Sequence, residues 1–288
     1  MKVVYSRLAR ATGLESPNFW QYFGTRLVDL AEIPEGAIVL DIGTGEGSVL
    51  IPALEKAGVH GLGIGVDINF GWFKHALLEI QKRSLRNTAL AQMDATNLGF
   101  MNGLFDRVLC GFVGWNYCFD FVRQEFTSPD TMLAEISQVL RARGRVGISS
   151  WAKQEDLDWL GEQFRMYLPA YVADQKMGSA STVYSKENAK GLERVLREGG
   201  FQDIEIATET AEFVSTDEEE WWCQVWGAGW QEHIDRVART DANKFKQFKK
   251  QVFDNLQIYR RSDGIHSRKT VLFAFGKKKS LGGLLSNN

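Results

Sequence analysis

The segment Val39-Leu40-Asp41-Ile42-Gly43-Thr44-Gly45-Glu46-Gly47-Ser48 is the most informative part of the chain. Its apolar start is typical of a buried parallel strand, and its glycines are typical of a turn that opens into a helix. Glycines at alternate positions allow a tight turn and let a ligand approach the backbone closely. The helix that follows offers unpaired N–H groups and the positive end of its dipole. We therefore predict that this segment binds a nucleotide-like ligand with a phosphate or a carboxylate.

The glycine spacing argues against two common nucleotide motifs. The dinucleotide motif Gly-x-Gly-x-x-Gly would place its third glycine where this chain has Ser48. The carboxylate of Asp41, two residues before Gly43, would repel a pyrophosphate but would suit a ligand that carries an ammonium group. The phosphate-binding P-loop is excluded because no Gly-Lys-Ser or Gly-Lys-Thr follows the glycines.

Strand and helix patterns alternate five times in the first half of the chain. The predicted strands cover residues 37–41, 62–66, 88–92, 105–111 and 145–150. The predicted helices cover residues 16–30, 48–56, 70–83 and 127–140, and the second half adds helices 152–168 and 185–198 and strands 204–207 and 270–275. This alternation predicts an α/β fold with a doubly wound, mostly parallel sheet covered by helices on both faces. Ligands of such sheets bind at the carboxyl ends of the strands.

Three later residues fall at those strand ends. Asp67 ends the second predicted strand, 24 residues after Gly43, where a carboxylate can accept both ribose hydroxyls. Asp94-Ala95 follows the third strand, and its carboxylate and adjacent backbone N–H can read an adenine edge. Cys110 and Gly111 are the last two residues of the fourth strand. A second glycine run, residues 61–65, leads into a strand rather than a helix, so we do not predict a binding site there.

In this order, the motifs resemble those of the class I S-adenosylmethionine-dependent methyltransferases. The resemblance covers about residues 20–210 and is greatest to the small-molecule branch related to the ubiquinone and menaquinone methyltransferases. Asp41–Gly47 is similar to the family's first motif, Asp67-Ile68 to its ribose-binding pair, and Asp94-Ala95 to its adenine reader. Residues 140–145 and 198–201 are similar to the turns before the fifth and sixth strands. Trp72 stands where relatives have methionine or leucine, and Arg145 stands where many have a second glycine.

The resemblance implies a cofactor, S-adenosylmethionine, and a product, S-adenosylhomocysteine. It also implies a Rossmann-like, seven-stranded sheet whose last strand runs antiparallel. The implied cofactor-binding residues are Asp41, Gly43, Thr44, Gly45, Gly47, Asp67, Ile68, Trp72, Asp94, Ala95 and Cys110.

The domain organisation predicted from these patterns is one core domain with additions. A helical segment, residues 1–35, precedes a core of residues 36–214. Residues 215–262 are helical in pattern, and we predict that they form an inserted lid over the ligand edge of the sheet. Residues 263–280 supply the final strand, and residues 281–288 form a tail that we expect to be disordered.

The acceptor side is less specific. In the family the loop after the fourth strand lies next to the transferable methyl; here it lacks the Asn/Asp-Pro-Pro-Tyr/Phe motif of some enzymes that methylate nitrogen. The predicted substrate-binding residues are Trp115, Asn116, Tyr117, Trp151, Trp222 and Trp226. Spacings of four, four and three place Trp222, Trp226, Trp230 and His233 on one helix face, which either roofs an acceptor or packs on the domain. If the reaction needs a general base, His233 and His266 are the candidates.

Composition excludes several other classes of protein. The chain has 288 residues and a formal net charge of −2, so no general attraction to nucleic acid or an anionic membrane is expected. Lysines in residues 244–250 alternate with apolar residues at helical spacing, which predicts an amphipathic helix with a solvated basic face. No apolar run is long enough to span a membrane, and the N-terminus is unlike a signal peptide. The three cysteines have no metal-ligand spacing and cannot all pair, so we predict that the protein binds no metal and is a cytoplasmic protein with reduced thiols. We expect it to be a monomer or a homodimer.

We therefore predict a methyltransferase that moves the sulfonium methyl to oxygen, carbon or nitrogen of a small apolar or aromatic metabolite. Two alternatives stay open at this point. One is a methyltransferase of RNA or protein, which should have an open, basic acceptor groove. The other is a protein that binds S-adenosylmethionine without methyl transfer, whether regulatory or catalysing a rearrangement.

Overall fold

The computed structural model describes residues 19–115, 118–168, 187–225 and 231–279. These residues form two compact units. Unit 2 contains residues 19–150, 187–209 and 271–279, and unit 1 contains residues 151–168 and 210–270. Residues 1–18 and 281–288, for which we predicted a helical segment and a disordered tail, lie outside the described residues.

Unit 2 begins with the predicted alternation of strands and helices. The strands are β1 (Ile38–Ile42), β2 (Leu62–Asp67), β3 (Thr88–Gln92) and β4 (Phe105–Gly111). The helices are α1 (Phe19–Leu30), α2 (Leu50–Ala57), α3 (Phe73–Lys82) and α4 (Thr131–Val139), and a short hairpin, β5 (Phe119–Asp120) and β6 (Glu125–Phe126), precedes α4. β1 pairs in parallel with both β2 and β4, so their carboxyl ends meet at one edge.

The rest of the chain supplies three long strands and further helices. The strands are β7 (Leu140–Gln154), β8 (Phe201–Ser215) and β10 (Gly264–Lys278), and the two-residue strand β9 (Arg260–Arg261) pairs antiparallel with β10. The helices are α5 (Glu155–Tyr167), α6 (Ala189–Glu198), α7 (Glu218–Val225), α8 (Gln231–Thr240) and α9 (Ala242–Asn255). The sheet order is β3-β2-β1-β4-β7-β10-β8, and its C-terminal strands run antiparallel. The predicted doubly wound, Rossmann-like fold is confirmed.

The bounds of some elements differ from the prediction. β7, β8 and β10 are each 15 residues long, although only their most apolar parts were predicted. Trp151 consequently lies in β7, and the following helix begins at Glu155 rather than Ala152. The cap of α4 is Asp130, whose side chain accepts from the Leu133 amide, and not the preceding Thr-Ser-Pro. Extended backbone continues through polar residues here because neighbouring strands satisfy its hydrogen bonds.

The helix faces follow apolar spacing with one exception. Of the apolar residues that recur at helical spacing on α1, Phe19, Phe23 and Leu27 are buried and Leu30 is half-buried. On α3, Phe73, Ala76 and Ile80 are buried, but Leu77 is 53% exposed. Both Ala76 and Leu77 lie three or four residues from Phe73 and from Ile80, so helical spacing alone does not decide which of the two is buried.

Unit 1 contains most of the segment predicted to be an inserted lid. Helix α9 buries Phe248 and Val252 and exposes most of its lysines, so its predicted amphipathic character is confirmed. The ammonium of Lys249 pairs with Glu219 and lies over the ring of Trp222, 5.5 Å from its centroid, so the contacts of this lysine are within unit 1. The role of residues 215–262 as a lid stays a prediction. Among the described residues, no helix has the length and apolarity to cross a membrane.

Candidate functional site

The glycine loop after β1 adopts the conformation that its sequence predicts. Gly43, Gly45 and Gly47 all have positive φ, at 69°, 50° and 87°, which favours residues without a Cβ. A Cβ on Gly43 would lie 2.9 Å from Cγ2 of Val113, so the loop also needs a glycine for close packing. The Thr44 amide donates to the Val66 carbonyl at 3.0 Å, which fixes the loop on the end of β2.

The second glycine run has a packing function, consistent with the prediction that it binds no ligand. An added Cβ on Gly61 or Gly63 would lie 2.5 or 2.6 Å from side-chain atoms of α2. A Cβ on Gly65 would lie 2.7 Å from Oγ1 of Thr44. Alternate residues of a strand face the same side, so these glycines let α2 and the glycine loop lie directly on β2.

Asp41 is buried and has no hydrogen-bond partner in the described part of the chain. Its side chain is 1% exposed, and neither carboxylate oxygen makes a hydrogen bond with a described residue. Burial raises the pKa of Asp41 to about 7, an effect that the nearby Thr44 hydroxyl and Leu50 amide only partly offset. Both groups are close to the carboxylate, although neither satisfies hydrogen-bond geometry. A buried carboxylate without a partner raises the free energy of the folded state, so a ligand group that is cationic or donates a hydrogen bond would be stabilised next to Asp41.

Asp67 is fixed by two backbone amides. Its Oδ2 accepts from the Gly45 amide at 3.0 Å, and its Oδ1 accepts from the Asn69 amide at 2.8 Å. The first of these bonds joins the end of β2 to the glycine loop of β1. An ionised carboxylate can accept about four hydrogen bonds, so two acceptor positions remain for ligand hydroxyls.

The predicted adenine side is open and partly apolar. Ile68 is 68% exposed and Trp72 is 44% exposed, and both follow the carboxyl end of β2. The backbone amide and hydroxyl of Thr96 both donate to Asp94 at 2.8 Å and hold the pKa of that carboxyl below its ordinary value. Asp94 therefore stays an anionic acceptor at neutral pH, and the adjacent Ala95 is half-buried.

The loop after β4, residues Phe112–Trp115, is called the β4 loop here. Cys110, at the end of β4, is buried, and burial raises the pKa of its thiol well above the ordinary value. Phe112 has φ 58°, an uncommon conformation for an aromatic residue, and its ring packs edge-on against Trp20 at 5.1 Å. Trp115 is fully buried, and its indole N–H donates to Asp130 at 2.8 Å. This burial favours a structural role for Trp115, whose predicted contact with substrate stays a prediction.

Glu187 was not predicted as a site residue. It is 5% exposed and accepts from the Trp115 amide at 2.5 Å and from the Ser150 hydroxyl. In the sequence, Glu187 falls inside the helix predicted over residues 185–198, and nothing in that pattern singled it out. The helix α6 in fact begins at Ala189 with Asn188 as its cap, which leaves Glu187 outside the helix. No local signal marks its partners, because Trp115 lies 72 residues earlier.

The remaining acceptor-side predictions fall in unit 1 or outside the described residues. Trp151 is buried in β7, and Trp222 is buried against Phe245, Phe253 and Lys249 within unit 1. His266 is also buried, and its Nε2 lies 2.7 Å from Oδ1 of Asp263. Asn116, Tyr117 and Trp226 lie outside the described residues, as does the side chain of His233 on α8. The substrate and catalytic roles of all these residues stay predictions.

Comparisons with known proteins identify the family to which this chain is similar. A family model described as a methyltransferase domain matches residues 33–241. Aklanonic acid methyltransferase DauC from Streptomyces sp. (strain C5) is 38% identical over 134 residues, 46% of this chain and 56% of that protein. Nocamycin O-methyltransferase from Saccharothrix syringae is 30% identical over 150 residues, 51% of this chain and 49% of that protein. The matches thus span about half the length of these curated relatives.

The fold is shared with solved structures. The YcgJ protein from Bacillus subtilis superposes with a TM-score of 0.54 at 16% identity, covering 90% of this chain and 99% of that one. At this level of identity the match bears on the fold alone.

Proposed function

The chain belongs to the methyltransferase-domain family, and from this premise we propose that it transfers the methyl group of S-adenosylmethionine to a small metabolite. The family match confirms the resemblance inferred from the motifs at Asp41, Asp67 and Asp94. The observation that carries the proposal is the buried carboxyl of Asp41, which has no hydrogen-bond partner among the described residues. It precedes a glycine loop whose Gly45 amide donates to the carboxylate of Asp67.

The donor site fits the polar groups of S-adenosylmethionine in order along the sheet edge. The carboxyl of Asp41 is suited to the ammonium of the methionine end, because a cation would compensate its burial. Asp67 has two acceptor positions left for the ribose hydroxyls and is already held by the Gly45 and Asn69 amides. Asp94 is suited to the exocyclic amino group of adenine, with the exposed rings and chains of Trp72 and Ile68 available for apolar contact.

The protein's contribution to the chemistry is positional. S-adenosylmethionine supplies, when bound, a sulfonium that is already an activated methyl donor. The chain's residues then need to orient the donor, align the acceptor in line with the bond that breaks, and exclude water. A weakly acidic hydroxyl would also need a general base, for which His233 and His266 stay the candidates.

For the acceptor we propose a small apolar or aromatic metabolite that is methylated on oxygen. The names of the two curated relatives support this choice, since one acts on aklanonic acid and the other is an O-methyltransferase. Because those matches cover only about half of each relative, aklanonic acid is the first compound to test rather than an assigned substrate.

Two measurements test the proposal. Calorimetry with S-adenosylmethionine should give one site per chain. Transfer of a labelled methyl should then occur to aklanonic acid or to another member of a panel of phenolic and carboxylic metabolites, with S-adenosylhomocysteine formed in equal amount. Absence of binding by the wild-type chain would contradict the donor site. Binding without transfer across the panel would favour the alternative of a donor-binding protein that does not methylate.

We further propose that the protein works in the cytoplasm as a monomer or homodimer, without a nucleic-acid partner. Cys110, Cys118 and Cys223 form no disulfide, which supports the cytoplasmic location, and the net charge of −2 supports the absence of a nucleic-acid partner. Light scattering after gel filtration would give the oligomeric state. Retention on a heparin column at physiological salt would contradict the absence of a polyanionic partner.

A further inference from the structure

Glu187 joins the segments that follow two neighbouring strands. Its Oε1 accepts from the Trp115 amide, beyond β4, and its Oε2 accepts from the hydroxyl of Ser150 on β7. Gly111 at the end of β4 pairs with Ser149, so Ser150 lies one residue past the last pair of the two strands. The buried carboxylate therefore bridges β4 and β7 at the edge of the sheet where ligands bind.

The β4 loop that Glu187 contacts also forms part of the donor site. Cγ2 of Val113 lies so close to Gly43 that a Cβ there would be only 2.9 Å away. Phe112 has φ 58°, a conformation that a bulky residue keeps only where its surroundings hold it in place, and Gly114 has φ 80°, which glycine adopts readily. A Cβ on Gly114 would lie 3.3 Å from Oε1 of Glu187, so this loop and the carboxylate are closely packed.

We propose that Glu187 is a positioning residue of this methyltransferase, which holds the β4 loop against Gly43 at the methionine end of the donor site. The inference rests on the proposed function, since it assigns the glycine loop to the donor. This positioning role requires side-chain hydrogen bonds at residue 187 to the Trp115 amide and to the Ser150 hydroxyl, and it does not require a negative charge at residue 187.

Two substitutions separate position from charge. In Glu187→Gln, the amide oxygen can still accept from the Trp115 amide and the amide NH₂ can donate to the Ser150 oxygen. In Glu187→Ala, both contacts are lost and the buried Trp115 amide is left without this acceptor. We expect Glu187→Ala to raise the Kd for S-adenosylhomocysteine about 10-fold and to speed amide hydrogen exchange in residues 112–115. Glu187→Gln should stay within about twofold of the wild type in both measurements.

Asp106 provides a matched control at the opposite end of β4. Its carboxylate accepts from the Ile38 amide at 2.8 Å and from Arg141 at 2.7 Å. Asp106→Asn should lower thermal stability without changing either the exchange of residues 112–115 or the affinity for S-adenosylhomocysteine. If Glu187→Ala does not fold, Ser150→Ala removes one of the two contacts, and a smaller change in the same direction is expected.

The outcomes distinguish failure of this inference from failure of the proposed function. If the wild-type chain does not bind S-adenosylhomocysteine, the proposed function fails, and exchange in the unliganded variants still tests the positioning role. If Glu187→Gln is as impaired as Glu187→Ala, the charge matters and the inference is overturned. It is also overturned if Glu187→Ala leaves both the exchange and the affinity unchanged.

Discussion

Two buried aspartates, one in each unit, have opposite surroundings. Asp41 in unit 2 is 1% exposed and has no hydrogen-bond partner among the described residues. Asp156 in unit 1 is 2% exposed, but Nζ of Lys269 lies 2.9 and 3.2 Å from its two oxygens, and the indole N–H of Trp221 donates to it at 3.0 Å.

The difference indicates what each carboxylate contributes. A buried charge with an ammonium and a hydrogen-bond donor is compensated within the fold, and it needs no ligand. A buried carboxyl without partners has a raised pKa and lowers stability until a ligand supplies the missing group. The surroundings of these side chains, and not burial by itself, therefore distinguish the candidate ligand contact from the structural pair.

The largest expected effect comes from breaking the compensated pair. Lys269→Ala should lower the free energy of unfolding by about 3–5 kcal/mol, because it leaves Asp156 buried without its cation. Urea unfolding measures this change. Arg268→Ala is the control, since its pair with Glu155 is largely exposed and should contribute at most about 1 kcal/mol. Equal effects of the two substitutions would contradict the role given to the buried pair.

The uncompensated aspartate should make stability depend on pH. The pKa of Asp41 is raised from 3.8 to about 7 in the folded chain, so the folded state holds a proton that the unfolded state releases. The contribution of Asp41 to the free energy of unfolding is then greatest below pH 4 and falls, by on the order of 4 kcal/mol, as the pH rises to 7. Asp41→Asn should abolish this slope.

The measurement for Asp41 is urea unfolding of the wild type and of Asp41→Asn between pH 4 and 8, without donor. The difference between the two curves isolates this group from the other titrating residues. Binding of S-adenosylmethionine near pH 6.5 should also release a proton in the wild type, detectable by calorimetry in buffers of different ionisation enthalpy. A difference curve that is flat with pH would refute this environment for Asp41.

A smaller effect is expected at the anchored carboxylate. Asp67→Ala should weaken S-adenosylmethionine binding by about 1.5–3 kcal/mol, or about 10- to 150-fold, because it removes the ribose acceptor and frees the Gly45 amide. Asp120→Ala is the matched control, since Asp120 caps the amides of Val122 and Arg123 in the β5–β6 hairpin in a similar way. Donor affinity that is unchanged by Asp67→Ala would rule out this site.

The smallest effect is expected under the glycine loop. Gly65→Ala would place a Cβ 2.7 Å from Oγ1 of Thr44 and 2.8 Å from Leu50 and Leu90, which should cost about 1–3 kcal/mol of stability. Gly99→Ala, whose Cβ would meet only Met93 at 3.9 Å, should change stability by less than about 0.5 kcal/mol. Thermal unfolding compares them, and equal melting temperatures would show that the loop adapts to the added Cβ.

The positions of the residues proposed for the donor side could be predicted because their signals are local. Strand alternation, positive-φ glycines and acidic residues at strand ends are properties of short segments, and parallel pairing places their carboxyl ends at one edge. Residues 41–47, 67 and 94 lie at that edge, as predicted. The second glycine run leads into a strand rather than a helix, and its glycines pack closely against α2 and the glycine loop; that it binds no ligand stays a prediction.

The rest depended on contacts between distant residues. Lys269 lies 113 residues from Asp156, and Glu187 lies 72 residues from Trp115, so neither pair leaves a pattern in one window of sequence. The full length of β7, β8 and β10 has the same cause, since polar residues extend a strand only where a neighbouring strand accepts their hydrogen bonds.

For this protein, the sequence alone determines the α/β fold, the glycine loop and the acidic residues at the strand ends, because strand period, helix period and backbone permissiveness are encoded locally. Only the tertiary structure decides which buried charges are compensated. Asp41 and Asp156 are the same residue type, each is followed directly by one apolar residue, and nothing in either local sequence shows whether the carboxylate has a cationic partner. Their difference arises from what the fold brings to each carboxylate: Lys269 and Trp221 to one, and to the other no partner among the described residues.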